Sequence, residues 1–501
     1  MNSNPSQSIQ KIVIVGGGSA GWMTAASLSN VLKGKCDITL IESDEIGIVG
    51  VGEATIPPIR VFNQTLGISE AEFLQRTNGT FKLGIEFVNW GSNGSRYFHP
   101  FGTYGRQFDT VSMHHYWLSA HQQGQAKPLD EYAMAWHLAR KGKFIHPSGD
   151  PKNVLSTFEY AYHFDAGLYV KFLRDYAEQR GVKRIEGKIS HVSKNKDTGF
   201  ISSVSLENGQ VIDGEFFIDC SGFRGLLIEQ ALHTGYETWS EWLPCDRAWA
   251  VPTAGNADPI PYTRTTAHTA GWQWRIPLQN RVGNGHVFSS AFISEEHARQ
   301  QLLDNLDSDT LAEPRLIKFV TGRRKRFWNK NVVAIGLASG FIEPLESTSI
   351  HLIQAGIAKL LALFPDKSFN QRSIDEYNRI AIAEVERIRD FIILHYKLME
   401  RRDTEMWRYC ADMDVPDELA EKIAHFREFG RITKGEMDLF GNTSWLAVHI
   451  GQGNTPQRTD PLVHYSDADY TGWLNKLNQV MTQYAQQAPG HMAYINNMTK
   501  S

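Results

Sequence analysis

The alternation of apolar and polar stretches at the start of the chain predicts a strand, a tight turn, a helix and a second strand. Residues 12–15 form a short β-branched run, which is typical of a buried parallel strand. The run breaks into Gly16-Gly-Gly-Ser-Ala-Gly21, and a helix is predicted over residues 22–32. A second apolar run at residues 36–41 ends at Glu42. This order predicts a βαβ unit with a parallel sheet.

Further along, the pattern predicts more strands and then a helical part. The segment 81–87 alternates, with apolar residues at odd positions and Lys82, Gly84 and Glu86 at even ones. Beyond residue 349 the periodicity favours helices, including a long amphipathic segment at 376–406 and another at 417–426. The other predicted strands lie at residues 187–192, 201–206, 211–217, 248–253, 265–276, 287–292 and 332–340.

The glycine-rich turn contains the spacing G-x-G-x-x-G, which is typical of dinucleotide-binding sites. Gly16 permits the tight turn, Gly18 lets backbone amides approach a pyrophosphate, and Gly21 lets the helix pack on the strand. The helix N-terminus offers free N–H groups and a positive dipole end to phosphates. Glu42 follows at the end of the second strand, where an acid accepts hydrogen bonds from an adenosine ribose. The four features together predict a bound dinucleotide.

Composition narrows the class of protein. The chain has 501 residues, of which 42% are hydrophobic and 21% charged, the profile of a globular protein with two or three domains. The net charge of -4 gives no electrostatic case for nucleic acid or an anionic membrane as a partner. One basic run, at residues 323–326, is expected to be a solvated loop before a strand.

Cysteine and histidine usage argues against disulfides and metal. The four cysteines are scattered without a C-x-x-C pair, which fits a reducing cytoplasm and no zinc site. The histidines at residues 97–165 lie among many aromatic residues in no metal-binding spacing, and they are expected to line a pocket or pack. No signal-peptide region and no apolar run of about 18 residues is present, so a cytoplasmic protein is expected.

Two further features have both a plain and a functional interpretation. The glycine-rich loop at residues 48–58 is either a crossover or a backbone strap along the cofactor, and its place just after Glu42 favours the strap. Lys82, judged from its strand by itself, is expected to face solvent. Gly84 beside it is unusual, because a glycine within a strand often marks close approach by a ligand or a backbone.

Three stretches together resemble the flavin-dependent tryptophan halogenase family. Trp272-Gln-Trp-Arg-Ile-Pro277 is similar to the W-x-W-x-I-P signature of that family. Lys82 in Phe-Lys-Leu-Gly and Glu346 in Glu-Pro-Leu-Glu-Ser-Thr match its active-site lysine and glutamate. The loop at residues 50–57 and the segment 389–396 also look like the family's, so the resemblance covers nearly the whole chain.

The resemblance implies an α/β fold built on an FAD-binding Rossmann-type domain of the flavin monooxygenase class. A second sheet and a mostly helical C-terminal substrate region complete this expectation. Residues 1–350 are expected to form the FAD-binding module, with aromatic-rich insertions at 81–165 and 248–292. Residues 351–501 are expected to form the helical substrate-binding region packed on it.

The resemblance also implies roles for individual residues. Lys82 and Glu346 are the expected catalytic residues, and Thr348 and Ser349 the expected halide site. Ser349 stands where many relatives have glycine, which leaves the preference between chloride and bromide open. The expected FAD contacts are Gly16, Gly18, Ser19, Ala20, Gly21, Glu42, Glu53, Ala54, Leu337 and Ile350.

Aromatic residues are expected to position and to separate the substrates. His99, Phe101 and Trp445 match the walls around the indole in the family. Trp272 and Trp274 are expected to block access of the organic substrate to the flavin, and without the resemblance they would be interpreted as a core pair. The segment 432–446 lacks the tyrosine pair and glutamate by which tryptophan-specific members hold the amino-acid end. Indole or a small indole derivative is therefore expected in place of free tryptophan.

The implied activity uses FADH2, O2 and chloride or bromide to halogenate an electron-rich arene. A separate flavin reductase would supply FADH2, and hypohalous acid would pass through an internal tunnel to Lys82. Glu346 would orient the electrophile or stabilise and deprotonate the arene intermediate. The native substrate, the ring position and the oligomeric state, a homodimer included, stay open at this point.

Two alternatives compete with the halogenase interpretation. An FAD-dependent aromatic monooxygenase shares the fold, but the tryptophan motif counts against it, as does Leu337 where monooxygenases commonly carry an acid. A non-catalytic flavin-binding or assembly protein has no need to combine Lys82, Glu346 and the tryptophan motif.

Overall fold

The computed structural model describes residues 7–45, 52–107, 110–433, 435 and 438–500. The strands of the first half of the chain are β1 (Lys11–Val15), β2 (Asp37–Glu42), β3 (Glu53–Ala54), β4 (Thr80–Lys82), β5 (Gly84–Val88), β6 (Arg96–Pro100), β7 (Ala161–Phe164), β8 (Lys183–Glu186), β9 (Ile189–Lys194), β10 (Ile201–Leu206), β11 (Val211–Asp213) and β12 (Phe216–Asp219). Those of the second half are β13 (Tyr236–Thr238), β14 (Arg247–Ala254), β15 (Thr263–Ala267), β16 (Gly271–Pro277), β17 (Arg281–Phe288), β18 (Arg315–Lys318), β19 (Gly322–Arg324), β20 (Trp328–Asn329), β21 (Val332–Ala334) and β22 (Gly340–Phe341).

The α-helices of the first 350 residues, with one that extends beyond, are α1 (Ser19–Leu32), α2 (Pro58–Thr65), α3 (Glu70–Thr77), α4 (Met113–Gln122), α5 (Met134–Arg140), α6 (Ala166–Glu178), α7 (Glu295–Asp304) and α8 (Ser349–Ala362). The remaining helices are α9 (Gln371–Lys397), α10 (Glu405–Asp412), α11 (Asp417–Phe429), α12 (Asn442–Gly451), α13 (Tyr470–Gln487) and α14 (His491–Thr499). In the ranges given above, no helix is long and apolar enough to cross a membrane.

The predicted parallel sheet is confirmed. Six strands pair in the order β20-β21-β12-β1-β2-β8, and all neighbours run parallel except β20 and β21. β1 is central, and its residues from Ile12 to Val15 are all buried, as expected for a strand covered on both faces. Helix α1 returns along this sheet and contacts α6 and α8. The α/β fold class with a second sheet and a helical C-terminal part is also confirmed.

The second large sheet has seven strands in the order β18-β14-β17-β16-β15-β5-β6. Its neighbours are antiparallel except for β15 and β5. The single strand predicted over residues 265–276 is wrong, because β15 and β16 form a hairpin whose turn is closed by the bond from His268 N–H to Gly271 O. That turn contains neither proline nor an Asn-Gly pair, so no strong turn signal marks it in the sequence.

The segment 81–87 is two strands in two different sheets. β4 belongs to a three-stranded sheet with β3 and β7, whereas β5 belongs to the seven-stranded sheet. Leu83 lies at the change, where its N–H donates to Pro261 O. Every residue from Thr80 to Val88 is buried, so alternation does not separate solvent from core here. The solvent-facing position that the strand pattern indicates for Lys82 is therefore wrong.

Two other expectations from local pattern are corrected. The amphipathic segment 376–406 is not one helix, because α9 ends at Lys397 and α10 begins at Glu405. Between them, the buried Arg401 donates to Ala267 O and pairs with Asp403. The basic run is not a solvated loop either. Its first two side chains are buried in ion pairs, Arg323 with Glu237 and Glu386, and Arg324 with Glu229.

One continuous apolar core joins the elements that surround the site. It includes Ile14 of β1, Phe87 of β5, Trp272 of β16, Ile353 of α8 and Phe391 of α9. Full burial of side chains of this size contributes about 1.5–3 kcal/mol each to the free energy of unfolding. The two large sheets and the helices α8 and α9 are therefore held in fixed relative positions.

Candidate active site

The glycine-rich turn between β1 and α1 leaves open space only above its middle glycine. Gly16 has φ +110°, and a Cβ there would lie 2.2 Å from Cys220 O. A Cβ on Gly21 would lie 1.8 Å from Gly16 O. A Cβ on Gly18 would meet no atom within 4 Å. The first and last glycines thus serve packing, and the middle one faces a space that a ligand could occupy.

That space is a cavity of about 920 Å³. It runs from the glycine turn past the end of β2 to the start of α8, and Trp274 and Ser349 also line it. Gly21, Thr348 and Trp272 do not belong to its lining. The predicted cofactor contacts that do line it are Gly16, Gly18, Ser19, Ala20, Glu42, Glu53, Ala54, Leu337 and Ile350.

The residues present at this cavity fit a dinucleotide such as FAD. The first turn of α1 has no intrahelical acceptors for its N–H groups, which suits a pyrophosphate. The Glu42 carboxylate at the end of β2 accepts a hydrogen bond from Trp22 Nε1 at 3.3 Å and pairs with Arg184. Those contacts fix an acceptor where a ribose hydroxyl would lie. Residues 48–51 of the predicted strap lie outside the described residues, whereas Gly52, Glu53 and Ala54 line the cavity.

Lys82 lies behind the cavity wall and is fully buried. Its Nζ donates to Thr55 O at 3.0 Å and to Ser347 Oγ at 2.8 Å, and it lies 5.1 Å from the ring centroid of Phe101. Burial lowers the pKa of Lys82 to about 7, although the charge of Glu346 acts to raise it. The amine is therefore poised to be neutral near physiological pH.

Ser347 was not predicted as a site residue, yet it joins Lys82 to the cavity. Its hydroxyl contacts Lys82, and the same residue lines the cavity. The backbone at Ser347 is left-handed, with φ +59°, which is uncommon for a residue other than glycine. Its place between Glu346 and Thr348 was the only signal that the sequence carried for it.

Glu346 is a buried carboxylate held by two histidines. His99 Nδ1 lies 2.9 Å from Oε2 and 3.0 Å from Oε1, and His395 Nε2 lies 2.8 Å from Oε1. Burial acts to raise the pKa of Glu346, but the charge of His99 and the hydrogen bonds from His395 and His99 outweigh it and lower the pKa to about 2. His395 lies in the segment 389–396 but was not predicted as a site residue.

Aromatic rings surround the Glu346 side of the site. Phe391 stacks on Phe440 with ring centroids 3.9 Å apart, and it meets Trp445 edge-on at 5.2 Å. His99 lies 6.1 Å from Phe391. The predicted wall residues His99 and Trp445 therefore belong to one group with Phe391 and Phe440, which were not predicted. Phe101 lies instead on the Lys82 side.

The two indoles of the tryptophan motif share one face of β16. Their ring centroids are 6.1 Å apart, and both side chains are buried. Trp274 lies over Gly285 of the neighbouring strand, where a Cβ would come within 2.1 Å of the indole ring. Trp272 donates from Nε1 to Glu343 Oε2 at 2.7 Å. Gly285 thus makes room for the ring of Trp274, and Glu343 holds the ring of Trp272.

Glu343 has a structural role in this arrangement. Its Oε2 also accepts a hydrogen bond from the Tyr396 hydroxyl at 2.7 Å. Burial raises the pKa of Glu343 to about 7, although the hydrogen bonds from Tyr396 and Trp272 act to lower it. Glu343 therefore ties the loop that carries Glu346 to the strand that carries the tryptophan motif.

Replacing Glu343 by methionine is expected to lower the free energy of unfolding by about 2–5 kcal/mol, because two buried donors lose their acceptor. Glu343→Gln keeps that acceptor, and we expect a change of about 1 kcal/mol or less. Because the folded pKa is raised, the stability difference between the wild type and Glu343→Gln should move in favour of Gln as pH rises from about 4.5 to about 7. Urea unfolding of the wild type and both variants across this pH range measures these differences in the free energy of unfolding. Equal stability of the Met and Gln variants would contradict the prediction.

The start of α8 has the features of a small anion site. Thr348 is the N-cap, and its buried Oγ1 has no hydrogen-bond partner among the described residues. Ser349 begins the helix and lines the cavity. Unpaired N–H groups at a helix start and an unpaired hydroxyl suit an anion. The described ranges contain no group of three or more His, Cys, Asp or Glu side chains that could hold a metal ion.

Comparison with known proteins points to one family. A family model described as tryptophan halogenase matches residues 11–468. A tryptophan 7-halogenase from Lentzea aerocolonigenes is 34% identical over 497 residues, which span 92% of this chain and 93% of the relative.

Solved structures give the same result. A flavin-dependent halogenase from Xanthomonas campestris superposes with a TM-score of 0.95 at 44% identity, covering 98% of this chain and 99% of that one. Another, from Brevundimonas sp. BAL3, superposes with a TM-score of 0.94 at 46% identity and the same coverage.

Proposed function

Because the chain belongs to the tryptophan halogenase family and its structural neighbours are flavin-dependent halogenases, we propose that it halogenates indole or a small indole derivative. The proposed reaction uses FADH2, O2 and chloride or bromide. The observation that carries the proposal is the contact of a buried lysine with a serine of the cofactor cavity: Lys82 Nζ lies 2.8 Å from Ser347 Oγ, and Ser347 lines that cavity.

The cavity at the glycine turn would hold FAD, with the turn, the N-terminus of α1 and Glu42 as its main contacts. The chemistry that bound, reduced FAD would supply is the two-electron reduction of O2 that converts the halide to hypohalous acid, and a separate flavin reductase would deliver the reduced cofactor. The unpaired hydroxyl of Thr348 and the N–H groups at the start of α8 would hold the halide at the cavity edge.

Lys82 would receive the electrophile from the cavity side. Its neutral amine can bind hypohalous acid by a hydrogen bond or form a haloamine, whereas an ammonium group cannot react as a nucleophile. Ser347 and Thr55 fix the position of Nζ. Glu346, on the other side, would orient the electrophile or take the proton from the cationic arene. Holding the arene in place converts an unselective oxidant into a selective one.

The substrate would lie among the rings near Glu346. His99, Phe391 and Trp445 offer apolar faces of a size that suits an indole. Trp272 and Trp274, held by Glu343 and Gly285, would keep that substrate away from the flavin. The family relatives include halogenases of tryptophan, so free tryptophan should be tested beside indole. Residues 434, 436 and 437 of the segment 432–446 lie outside the described residues.

Halogenation is expected to fall as pH drops below about 7, because the fraction of neutral Lys82 then decreases. Glu346, with a pKa of about 2, stays ionised over the same range. Initial rates of product formation between pH about 5.5 and about 8.5, at saturating flavin, measure this acid limb of the pH–rate profile. A rate that stays constant as pH falls through 7, with the fold intact, would contradict a neutral lysine.

One incubation tests the proposed function. The protein is combined with FAD, a flavin reductase, NADH, and chloride or bromide, and is offered indole and tryptophan in separate reactions. Products with halogen isotope patterns in mass spectrometry are expected, with indole the better substrate. Hydroxylated products without halogen would instead favour an aromatic monooxygenase. The absence of halogenated product from either compound and from other electron-rich arenes would reject the proposal.

A further inference from the structure

Both ring nitrogens of His395, on α9, face oxygen atoms that accept hydrogen bonds. Nδ1 lies 2.8 Å from the carbonyl oxygen of Phe391, and Nε2 lies 2.8 Å from Oε1 of Glu346. A carbonyl oxygen can only accept, so Nδ1 carries a hydrogen. An ionised carboxylate also only accepts. The contact between His395 and Glu346 therefore requires a proton between Nε2 and Oε1.

The second contact of Glu346 favours the histidine as the owner of that proton. His99 Nδ1 lies within 3.0 Å of both carboxylate oxygens and can donate to them. Such a shared donor suits an ionised carboxylate, whose two oxygens are equivalent. We propose that His395 is a positioning residue that carries a proton on both ring nitrogens and so keeps Glu346 ionised.

His491 shows that burial by itself does not produce this state. Its Nδ1 lies 2.7 Å from Pro259 O, which accepts, and its Nε2 lies 3.0 Å from the N–H of Phe81, which donates. One donor and one acceptor satisfy a neutral ring. Burial lowers the pKa of His491 to about 4, in agreement with that geometry. His395 differs because both of its partners accept.

The charge on His395 matters because Glu346 acts on Lys82. The carboxylate favours the protonated lysine, and a positive charge at His395 offsets it. Apart from His99, which contacts Glu346 directly, the titratable groups that interact with this cluster are uncharged near neutral pH. Burial raises the pKa of Tyr97 well above its usual value, lowers that of His163 well below it, and lowers that of His449 to about 3.

Loss of His395 therefore has a predictable consequence for activity, which rests on the proposed function. Without its positive charge, the cluster binds another proton more readily. If Lys82 takes that proton, the nucleophile is lost, and if Glu346 takes it, the base is lost. In both cases the active state, with a neutral Lys82 and an ionised Glu346, forms at higher pH. The acid limb of the rate profile should move up by about 1–3 pH units.

Nitrogen NMR of the full chain, labelled with ¹⁵N in histidine, tests the protonation state without any assay of activity. At a pH of about 8, where a free imidazole is neutral, the nitrogen pair that disappears in His395→Gln should show two protonated nitrogens in the wild type. His491 supplies the internal comparison, with one protonated and one unprotonated nitrogen. In Glu346→Gln, the doubly protonated signature of His395 should disappear. A pair with one unprotonated nitrogen in the wild type would overturn the proposal.

The pH–rate profile tests the consequence. His395→Gln should shift the acid limb upward, whereas His449→Gln, which removes a neutral buried ring that bonds to Asn454, should leave it in place. Far-UV circular dichroism and FAD binding establish that both variants fold. If His395→Gln does not fold, the spectra of the wild type and of Glu346→Gln decide the protonation state of His395. Equal limbs in the wild type and His395→Gln would overturn the proposed role. Failure of the wild type and all variants to halogenate would reject the proposed function. The NMR result would then still decide the protonation state of His395.

Discussion

Lys82→Met loses at least about 10³-fold in the rate of arene halogenation, as we expect for removal of the group that delivers the electrophile. The variant keeps the length of the side chain but lacks the Nζ that contacts Ser347 Oγ and Thr55 O. Methionine also avoids the burial of an ionisable group, so the fold should be retained. Product formation at fixed FADH2 supply measures the loss, and thermal unfolding checks the fold.

A second readout separates delivery from oxidant formation. Cofactor binding and halide-dependent oxidation of a small, diffusible trap should survive in Lys82→Met, because the lysine does not line the cavity. Lys194→Met is the matched control. Lys194 is the exposed last residue of β9, and it also donates to a backbone carbonyl, that of Ala231. Halogenation at the wild-type rate in Lys82→Met would contradict the assignment of this lysine.

Glu346→Gln is expected to reduce the rate of halogenation by about 10²–10³-fold, because the amide cannot act as a base or carry the negative charge. The amide has nearly the same shape, so packing against His99 and His395 should be preserved. The change should appear mainly in kcat, since Glu346 acts on the reacting group more than on substrate affinity. Steady-state kinetics with indole measure both parameters.

The control for Glu346 is a carboxylate paired elsewhere. Glu376→Gln removes a carboxylate that pairs with Arg379 on the exposed side of α9, where neither residue lines the cavity, and it should leave kcat within about twofold. A Glu346→Gln enzyme with the kcat of the wild type would reject a catalytic role for this carboxylate. A loss confined to KM would assign it to substrate binding instead.

Local sequence was sufficient for the strand, turn and helix at the start of the chain. The spacing of Gly16, Gly18 and Gly21 predicted a turn whose first and last glycines lack room for a side chain, and the structure has that geometry. Period and composition predicted the central strand β1 because its residues from Ile12 to Val15 are buried on both faces. The acid at Glu42 followed from its distance along the chain. These features follow from the backbone conformation and burial of single elements, which residue type and period report directly.

The environment of Lys82 could not be predicted in this way. Its strand alternates as a half-exposed strand does, but both faces are covered by elements far along the chain. Residue patterns report the period of a strand and not what packs on it. The same limit explains the basic run, whose arginines Arg323 and Arg324 find carboxylates on distant elements. Charge density in the sequence did not distinguish a solvated loop from buried ion pairs.

The sequence by itself determined the class of fold, the glycine turn between β1 and α1 and, through the motifs around Lys82, Trp272 and Glu346, the family. Only the tertiary structure decided which side chains complete the site. Ser347 reaches Lys82 from 265 residues away, and His395 reaches Glu346 across 49 residues. Such contacts arise where strands of one sheet and helices of another part of the chain pack together. Hydrophobic period carries no information about these pairings, because it is set by each element's own burial and not by its partner.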